Sequence, residues 1–498
     1  MRTIIQTSFA AVNLYSEYFL GLLVSIIIAR NLTTEEYGAY SSAIWIAGLI
    51  TIAINSGLSI TVTKFVSEFK SKSEEQLKEL LGYTGRLLLS RILIVMIIFI
   101  GLIFLGAILS KFPMWLSLLL VTSAMFKAYY IYQTSIFKGL QRFEVLAKTS
   151  LIANPINLTA VIICSMWFST IESFLMAYCI ACIAFAFSIL RFNKLIPAFS
   201  ISKNTVFEHK KRVLTQVLSA TAIVFFGAIT FRQSQSIVLE QSGFLSAAGY
   251  FNLAFILATA AITLIPGIYQ EILLPKLTRA IAEDNVERNI LQAQRYLLIL
   301  SSFVLFPVLI YAENIIDFLY GEKYLEAAFA LRVIIIFRVL VVINNGANLT
   351  LISQDKQLSM AKVHTLLVII TLILSFFLTP KYGINGALVV YGSLSLILIF
   401  CFYGLAAKIG YHFLPILNVL KILISALLAS TPAIFINLHL TGLAALFLGS
   451  VVFAIIFLHL LLLTRGYDDS VVFLFKQLRS KAPKYLKPYF NWCVKMTS

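Results

Sequence analysis

Hydrophobic positions in this chain run in long unbroken stretches rather than in strand-like alternation. Fourteen such stretches can be drawn, near 8–29, 39–63, 87–109, 113–134, 149–168, 172–190, 213–239, 246–269, 296–318, 328–350, 363–379, 384–407, 414–437 and 440–464. A helix needs about 20 apolar residues to cross the hydrocarbon core of a bilayer. No ten-residue apolar–polar alternation recurs, which argues against an outer-membrane barrel. The pattern predicts an all-α integral membrane protein of about 14 transmembrane helices. Composition agrees: of 498 residues 60% are hydrophobic and 12% charged, about half the charge of a soluble domain, and mean hydropathy is +0.92.

The net charge of +17 is first a statement about topology, because cytoplasmic loops are enriched in Lys and Arg. With the N-terminus taken as cytoplasmic, 30 of the 39 basic residues fall in inside segments. Only Arg30, Lys111, Lys323 and Lys381 fall outside, and Arg91, Lys127, Arg232, Arg332 and Arg338 lie within spans. Both termini are therefore expected on the cytoplasmic side, with no nucleic-acid role for the charge. The N-terminus lacks the short apolar core and small-residue cleavage site of a secretory signal, so the first span is expected to be retained. The basic tail 465–498, interleaved with Tyr485, Tyr489, Phe490 and Trp492, reads as an interfacial segment on anionic inner-leaflet lipids.

Catalytic chemistry finds no home in the sequence. Cys179 and Cys182 have zinc or redox spacing but lie in an apolar run. With no second pair or nearby His they read as small residues packing a membrane helix rather than as ligands. The five histidines show no ligand spacing, and no Gly-x-x-x-x-Gly-Lys-Ser/Thr phosphate loop is present. The expectation is a protein that is no enzyme and holds no metal or cofactor.

Two weak internal matches suggest duplication. Gly38-Ala39-Tyr40-Ser41-Ser42-Ala43 aligns with Gly249-Tyr250-Phe251-Asn252-Leu253-Ala254 at an offset of 211. Gly139-Leu140-Gln141-Arg142 aligns with Ser353-Gln354-Asp355-Lys356 at 214. Each half would hold six spans in the same orientation, related by an axis along the membrane normal, a common transporter plan. The expected organisation is an N-terminal lobe at 1–200, a second lobe at 201–410, two further helices at 411–464 and the tail.

Ionisable groups inside spans cost about 2.5–3.5 kcal/mol each on insertion scales, and they usually face a cavity or a partner. Arg91 and Arg332 lie near span ends and are expected to reach the interface. Four groups lie deeper. Glu17 shares a helical face with Asn13 and Gly21; Lys127 with Ser123, Tyr130 and Thr134; Arg232 with Gln235 and Ser236; Arg338 lies two turns from Asn345. Structural ion pairs of Glu17 with Lys127 or Arg338 would also account for them. Three deep cations against one acid favour an anionic passenger, because guanidinium forks match phosphates and carboxylates. Lys127, Arg232, Arg338, Asn345 and Gln235 are the expected substrate path, and Glu17 with Asn13 the expected coupling site.

The segments Ala29-Arg30-Asn31-Leu32 and Glu36-Tyr37-Gly38-Ala39-Tyr40, followed by Lys64-Phe65-Val66-Ser67-Glu68 and Lys138-Gly139-Leu140-Gln141-Arg142-Phe143, resemble the polysaccharide-export flippases (Wzx-type) of the MATE-like superfamily. Similarity continues at Pro275-Lys276-Leu277-Thr278-Arg279, Tyr320-Gly321-Glu322-Lys323-Tyr324 and Tyr382-Gly383-Ile384-Asn385-Gly386-Ala387. Arg30, Gly38, Gly139 and Arg142 read as fold markers: Arg30 at a helix C-terminus, Gly38 and Gly139 at reversals, Arg142 at headgroups. The resemblance implies a V-shaped bundle of two six-helix lobes that moves undecaprenyl-diphosphate-linked oligosaccharide to the outer leaflet of a bacterial cytoplasmic membrane without ATP. It also implies partnership with a polysaccharide polymerase. The sequence departs where relatives often carry an acid, at Asn55 and around Arg232, Gln233 and Gln235. A cation or drug antiporter of the same superfamily would want deep acids, and only Glu17 answers. A membrane glycosyltransferase or polymerase would want a sizeable acidic outer loop. Epitope tags inserted beside Lys111, Lys323 and Lys381 should be read from outside intact spheroplasts, and tags at either terminus only after permeabilisation.

Overall fold

In the computed structural model the chain is described over residues 2–70, 73–106, 108–192, 209–231, 234–280, 286–353, 356–410 and 414–464. Among them every regular element is helical, as a chain in hydrocarbon requires: lipid offers no partner to a peptide N–H or C=O, so each segment must satisfy its own. The helices are α1 (Arg2–Asn31), α2 (Thr34–Asn55), α3 (Leu58–Lys70), α4 (Glu74–Phe104), α5 (Met114–Gly139), α6 (Phe143–Trp167), α7 (Ile171–Leu190) and α8 (Lys210–Thr221). A π-helical stretch (Ala222–Phe226) leads into α9 (Gly227–Phe231), α10 (Ser234–Gln241), α11 (Leu245–Ala280), α12 (Val286–Tyr320), α13 (Ala327–Ile343) and α14 (Asn345–Ser353). The series ends with α15 (Gln357–Ala407), α16 (Ile416–His439) and α17 (Gly442–Leu463).

Among the described residues 12 helices are long and apolar enough to span a bilayer. Helix α1 covers the first predicted span. The 51-residue α15 holds two: Gly383 sits at φ 55°, and a Cβ on Gly386 would collide with the Leu378 carbonyl oxygen, so the chain folds back on itself there. Three predicted spans are not single helices, and that at 328–350 is divided at Asn344 between α13 and α14. That at 39–63 breaks at Gly57 (φ 70°) between α2 and α3, and that at 213–239 is interrupted by the π-helical stretch.

The chain forms two compact units, one of residues 1–253 with 356–398, the other of 254–355 with 399–498. In the first, Leu58, Val62, Phe65, Val66, Leu80, Val121, Ala124, Phe137, Leu146 and Ile189 form a core joining α3, α4, α5, α6 and α7. Helix α1 packs along α6, and α5 against α7. Small residues permit the closest crossings, the usual device where lipid supplies no hydrophobic drive for helix association. A Cβ on Gly139 would lie 2.8 Å from the Thr63 carbonyl oxygen of α3. Gly139 therefore serves that approach, and the reversal after α5 is made by Gln141 at φ 56°. Gly38 likewise lies inside α2, while the turn before it carries a capping box between Thr33 and Glu36. Arg30 ends α1 as its dipole favours, and Arg142 stands at the N-cap of α6.

In the second unit α16 and α17 pack on α12 through Phe303, Phe306, Phe453 and Phe457. The Tyr311 hydroxyl donates to the Ala433 carbonyl at 2.7 Å, and Gly449 makes room for that ring, since a Cβ there would overlap its oxygen. Gly449→Ala is expected to lower stability by about 1–3 kcal/mol. The loss should be smaller in a Tyr311→Leu background, as thermal unfolding in detergent would measure.

Candidate functional site

Inside the first unit the face of α5 read from the sequence is turned inward: Ser123, Tyr130 and Thr134 are buried and Lys127 is half-buried. The Lys127 ammonium lies 4.3 Å from the Phe185 ring centroid and 5.4 Å from that of Tyr130. Cation–π contact of this kind supplies about 2 kcal/mol where water is excluded. Glu17 is exposed on α1, and its carboxylate interacts electrostatically with the Tyr130 hydroxyl. Neither Glu17 nor Lys127 joins a salt bridge among the described residues. The Ser123 hydroxyl donates to the Leu120 carbonyl of its own helix at 2.8 Å. Cys179 and Cys182 are free thiols buried in packing, and among the described residues no cluster of His, Cys, Asp or Glu could hold a metal ion.

The repeat segments meet each other. A Cβ on Gly38 would collide with the Leu245 carbonyl oxygen, and one on Gly249 would lie 2.7 Å from that of Thr34. Three residues on, the Asn252 amide donates to the Ser41 hydroxyl at 2.6 Å. Residues 211 apart in sequence, the offset of the repeat, thus face one another. Neither glycine can be replaced without moving backbone.

Two polar groups act on helix geometry. Arg91 does not run to the interface as expected; its guanidinium donates to the Ser56 carbonyl at 2.7 Å and to the Thr221 hydroxyl at 3.3 Å. It thereby satisfies a carbonyl that the break at Gly57 leaves without a helical donor. Asn55 donates across to the Ala128 carbonyl of α5 at 3.0 Å. Distance from the span end does not reveal this role. A glycine break within an apolar run, calling for a donor, was the signal available.

Gln235 is buried. Its amide donates to Ser375 at 2.9 Å and its oxygen accepts from Thr379 at 3.4 Å, tying α10 to α15. In the second unit the Arg338 guanidinium donates to the Thr259 hydroxyl and stacks over Phe255 with its carbon 4.6 Å from the ring centroid. Arg338 Nε is buried without a hydrogen-bond partner among the described residues, and no acid there pairs with it. Arg332 by contrast pairs with exposed Glu313 at 3.0 Å. Arg232 lies outside the described residues, as does the tail 465–498. The helices place Asn13 on α1 and Asn345 at the start of α14, but their side chains lie outside the described set.

Residues 7–281 match the family model described as "Polysaccharide biosynthesis protein". No curated protein matches the sequence. The fold is that of a solved lipid II flippase MurJ in an inward closed conformation, at 16% identity and a TM-score of 0.73 over 91% of this chain and 98% of that one. It is also similar to an inward-facing multidrug resistance MATE family transporter of the MOP superfamily, at 13% identity and 0.60 over 82% and 98%. An outward-facing multidrug resistance MATE family transporter of the same superfamily matches at 12% identity and 0.61 over 82% and 94%. The fold is the helical bundle of the solved MurJ and MATE structures, and the family match spans more than half of the sequence: the chain belongs to the polysaccharide biosynthesis protein family.

Proposed function

We propose that the chain is a flippase that carries undecaprenyl-diphosphate-linked oligosaccharide, the repeat unit of an O-antigen, capsule or exopolysaccharide, from the inner to the outer leaflet of a bacterial cytoplasmic membrane. The observation that carries an anionic passenger is the pair Lys127 and Arg338, which lie within spans without acidic partners among the described residues. Their aromatic neighbours hold the cations in place without neutralising them, which leaves the charge to act on a diphosphate or an acidic sugar. Family membership and the likeness to a lipid II flippase support the same reading. In it both termini are cytoplasmic, the halves 1–200 and 201–410 are the moving lobes, and helices 411–464 are an appendage. The basic tail rests on anionic lipids and a polysaccharide polymerase takes up the product.

Alternating access requires one end of the pathway to close while the other opens. The Gly38–Gly249 crossing with its Asn252–Ser41 bond is a closure of this type, and the outward-open state must part it. Glu17, exposed on α1 beside Tyr130, is the group proposed to couple an ion or proton to the change.

The likeness to multidrug transporters supports a second reading, exchange of a cationic drug for a proton. Proteoliposomes loaded with a fluorescent organic cation and given a proton gradient separate the two; drug-dependent proton flux without any glycolipid favours the second.

Two outcomes test the first reading. Arg338→Gln and Arg232→Gln should each abolish surface polysaccharide while the protein still inserts, with lipid-linked intermediate accumulating on the inner leaflet. Undiminished export in both would remove these residues from the path. The double variant Ser41→Cys, Asn252→Cys should cross-link under mild oxidation, stop export while oxidised and regain it on reduction. Neither single variant can form the bridge.

A further inference from the structure

The first unit contains a second site that the substrate path does not use. Between α2, α4, the 108–112 turn and α10 lies a cavity of about 370 Å³, more than twice the ~150 Å³ of an engineered apolar cavity that admits benzene. Ala43 and Ile46 of α2 and Phe99 of α4 give it an apolar wall. Its edge is charged, with Lys111 Nζ 3.0 Å from Glu240 Oε1.

Three features separate this space from a packing void. The hydroxyl of Ser42, a residue lining the cavity and only 2% exposed, has no hydrogen-bond partner among the described residues. A buried hydroxyl in that state carries a desolvation cost that a bound acceptor would remove. Leu109, also lining the cavity, is held at φ 53° by packing against Ala43 and Leu116. Strained backbone persists where the surroundings over-determine it, and it clusters at ligand sites. Finally, the ion pair is unequal: the Lys111 side chain is 50% exposed and that of Glu240 only 14%. The acid is held in place while the exposed base is free to swing, and a ligand that brings its own cation to Glu240 replaces the contact that Lys111 gives up.

The occupant follows from this lining. An apolar wall with a charged edge calls for an amphiphile. Helix α4, which lends Phe99 to the wall, and the turn after it carry Ile97, Ile98, Phe104 and Leu105 as exposed apolar surface, so the site is built on a helix that faces the acyl region of the bilayer. The edge carries one charge of each sign, which suits a zwitterion and not an anion. We propose that the cavity binds one acyl chain of a phosphatidylethanolamine from the adjacent leaflet. Its phosphate is taken by Lys111, its primary ammonium by Glu240, and a glycerol ester carbonyl accepts from Ser42. Both headgroup contacts are charge-assisted hydrogen bonds, and a bound lipid would splint α2, which carries Gly38 and Ser41, to α10.

Retention of lipid by the full chain tests this without any measurement of transport, so it succeeds or fails independently of the proposed function. The detergent-purified protein is incubated with equal amounts of dioleoylphosphatidylethanolamine, dioleoylphosphatidylglycerol and undecaprenyl phosphate, and bound lipid is counted by native mass spectrometry. One phosphatidylethanolamine should be retained in about tenfold excess over either anionic lipid, the ratio set by one lost charge-assisted contact. Glu240→Gln should shift retention toward phosphatidylglycerol. Lys111→Gln, at the exposed edge where folding is least at risk, should lose both phospholipids. Equal retention of the three, preference for undecaprenyl phosphate, or an unchanged ratio in Glu240→Gln and Lys111→Gln would overturn the proposal.

Discussion

Every departure from a continuous helix in a membrane exposes peptide groups that lipid cannot satisfy, and the polar residues of this protein are placed by that constraint. Where α2 ends at Asn55 and the chain turns through Gly57 at φ 70°, Arg91 supplies donors to the Ser56 and Ile54 carbonyls. Thr221 adds its hydroxyl to Ser56 at 2.8 Å from the segment just before the π-helical stretch. A broken helix at membrane depth is tolerated only where it is buried in protein or lines a cavity. The break, the arginine and the segment that leads into the irregular stretch after Thr221 are thus joined by hydrogen bonds.

Elsewhere the same constraint is met by threonine and serine returning hydrogen bonds to the carbonyl four residues back, as at Ser41, Thr51, Thr61 and Thr84. With these groups internally satisfied, association of the helices depends on fit. Glycine at 38, 139, 249, 386 and 449 makes room where a Cβ would collide with a neighbouring backbone or ring. The family resemblance rests on several of these glycines. Their meaning is local: each marks a helix crossing or a fold-back that no other residue permits.

The charges divide by what surrounds them. Arg332 and Lys111 reach acids near exposed surface, while Lys127 and Arg338 sit over aromatic rings. An aromatic face stabilises a cation without cancelling its field. Lys127 joins no salt bridge among the described residues, so the pair with Glu17 that the sequence allows is not formed there.

The sequence by itself determined the all-helical membrane class and the approximate course of the spans, because hydrocarbon imposes a length and an apolarity on each helix that can be read residue by residue. It also showed a 211-residue echo. Only the tertiary structure decided what that echo does: Gly38 meets Gly249 and Ser41 meets Asn252, a contact between segments far apart in the chain. It alone showed Arg91 bonding to the carbonyl at a helix break and Gln235 bonding α10 to α15. Hydropathy records how each residue prefers lipid or water. It carries no record of which neighbour a polar group will find once the helices have packed.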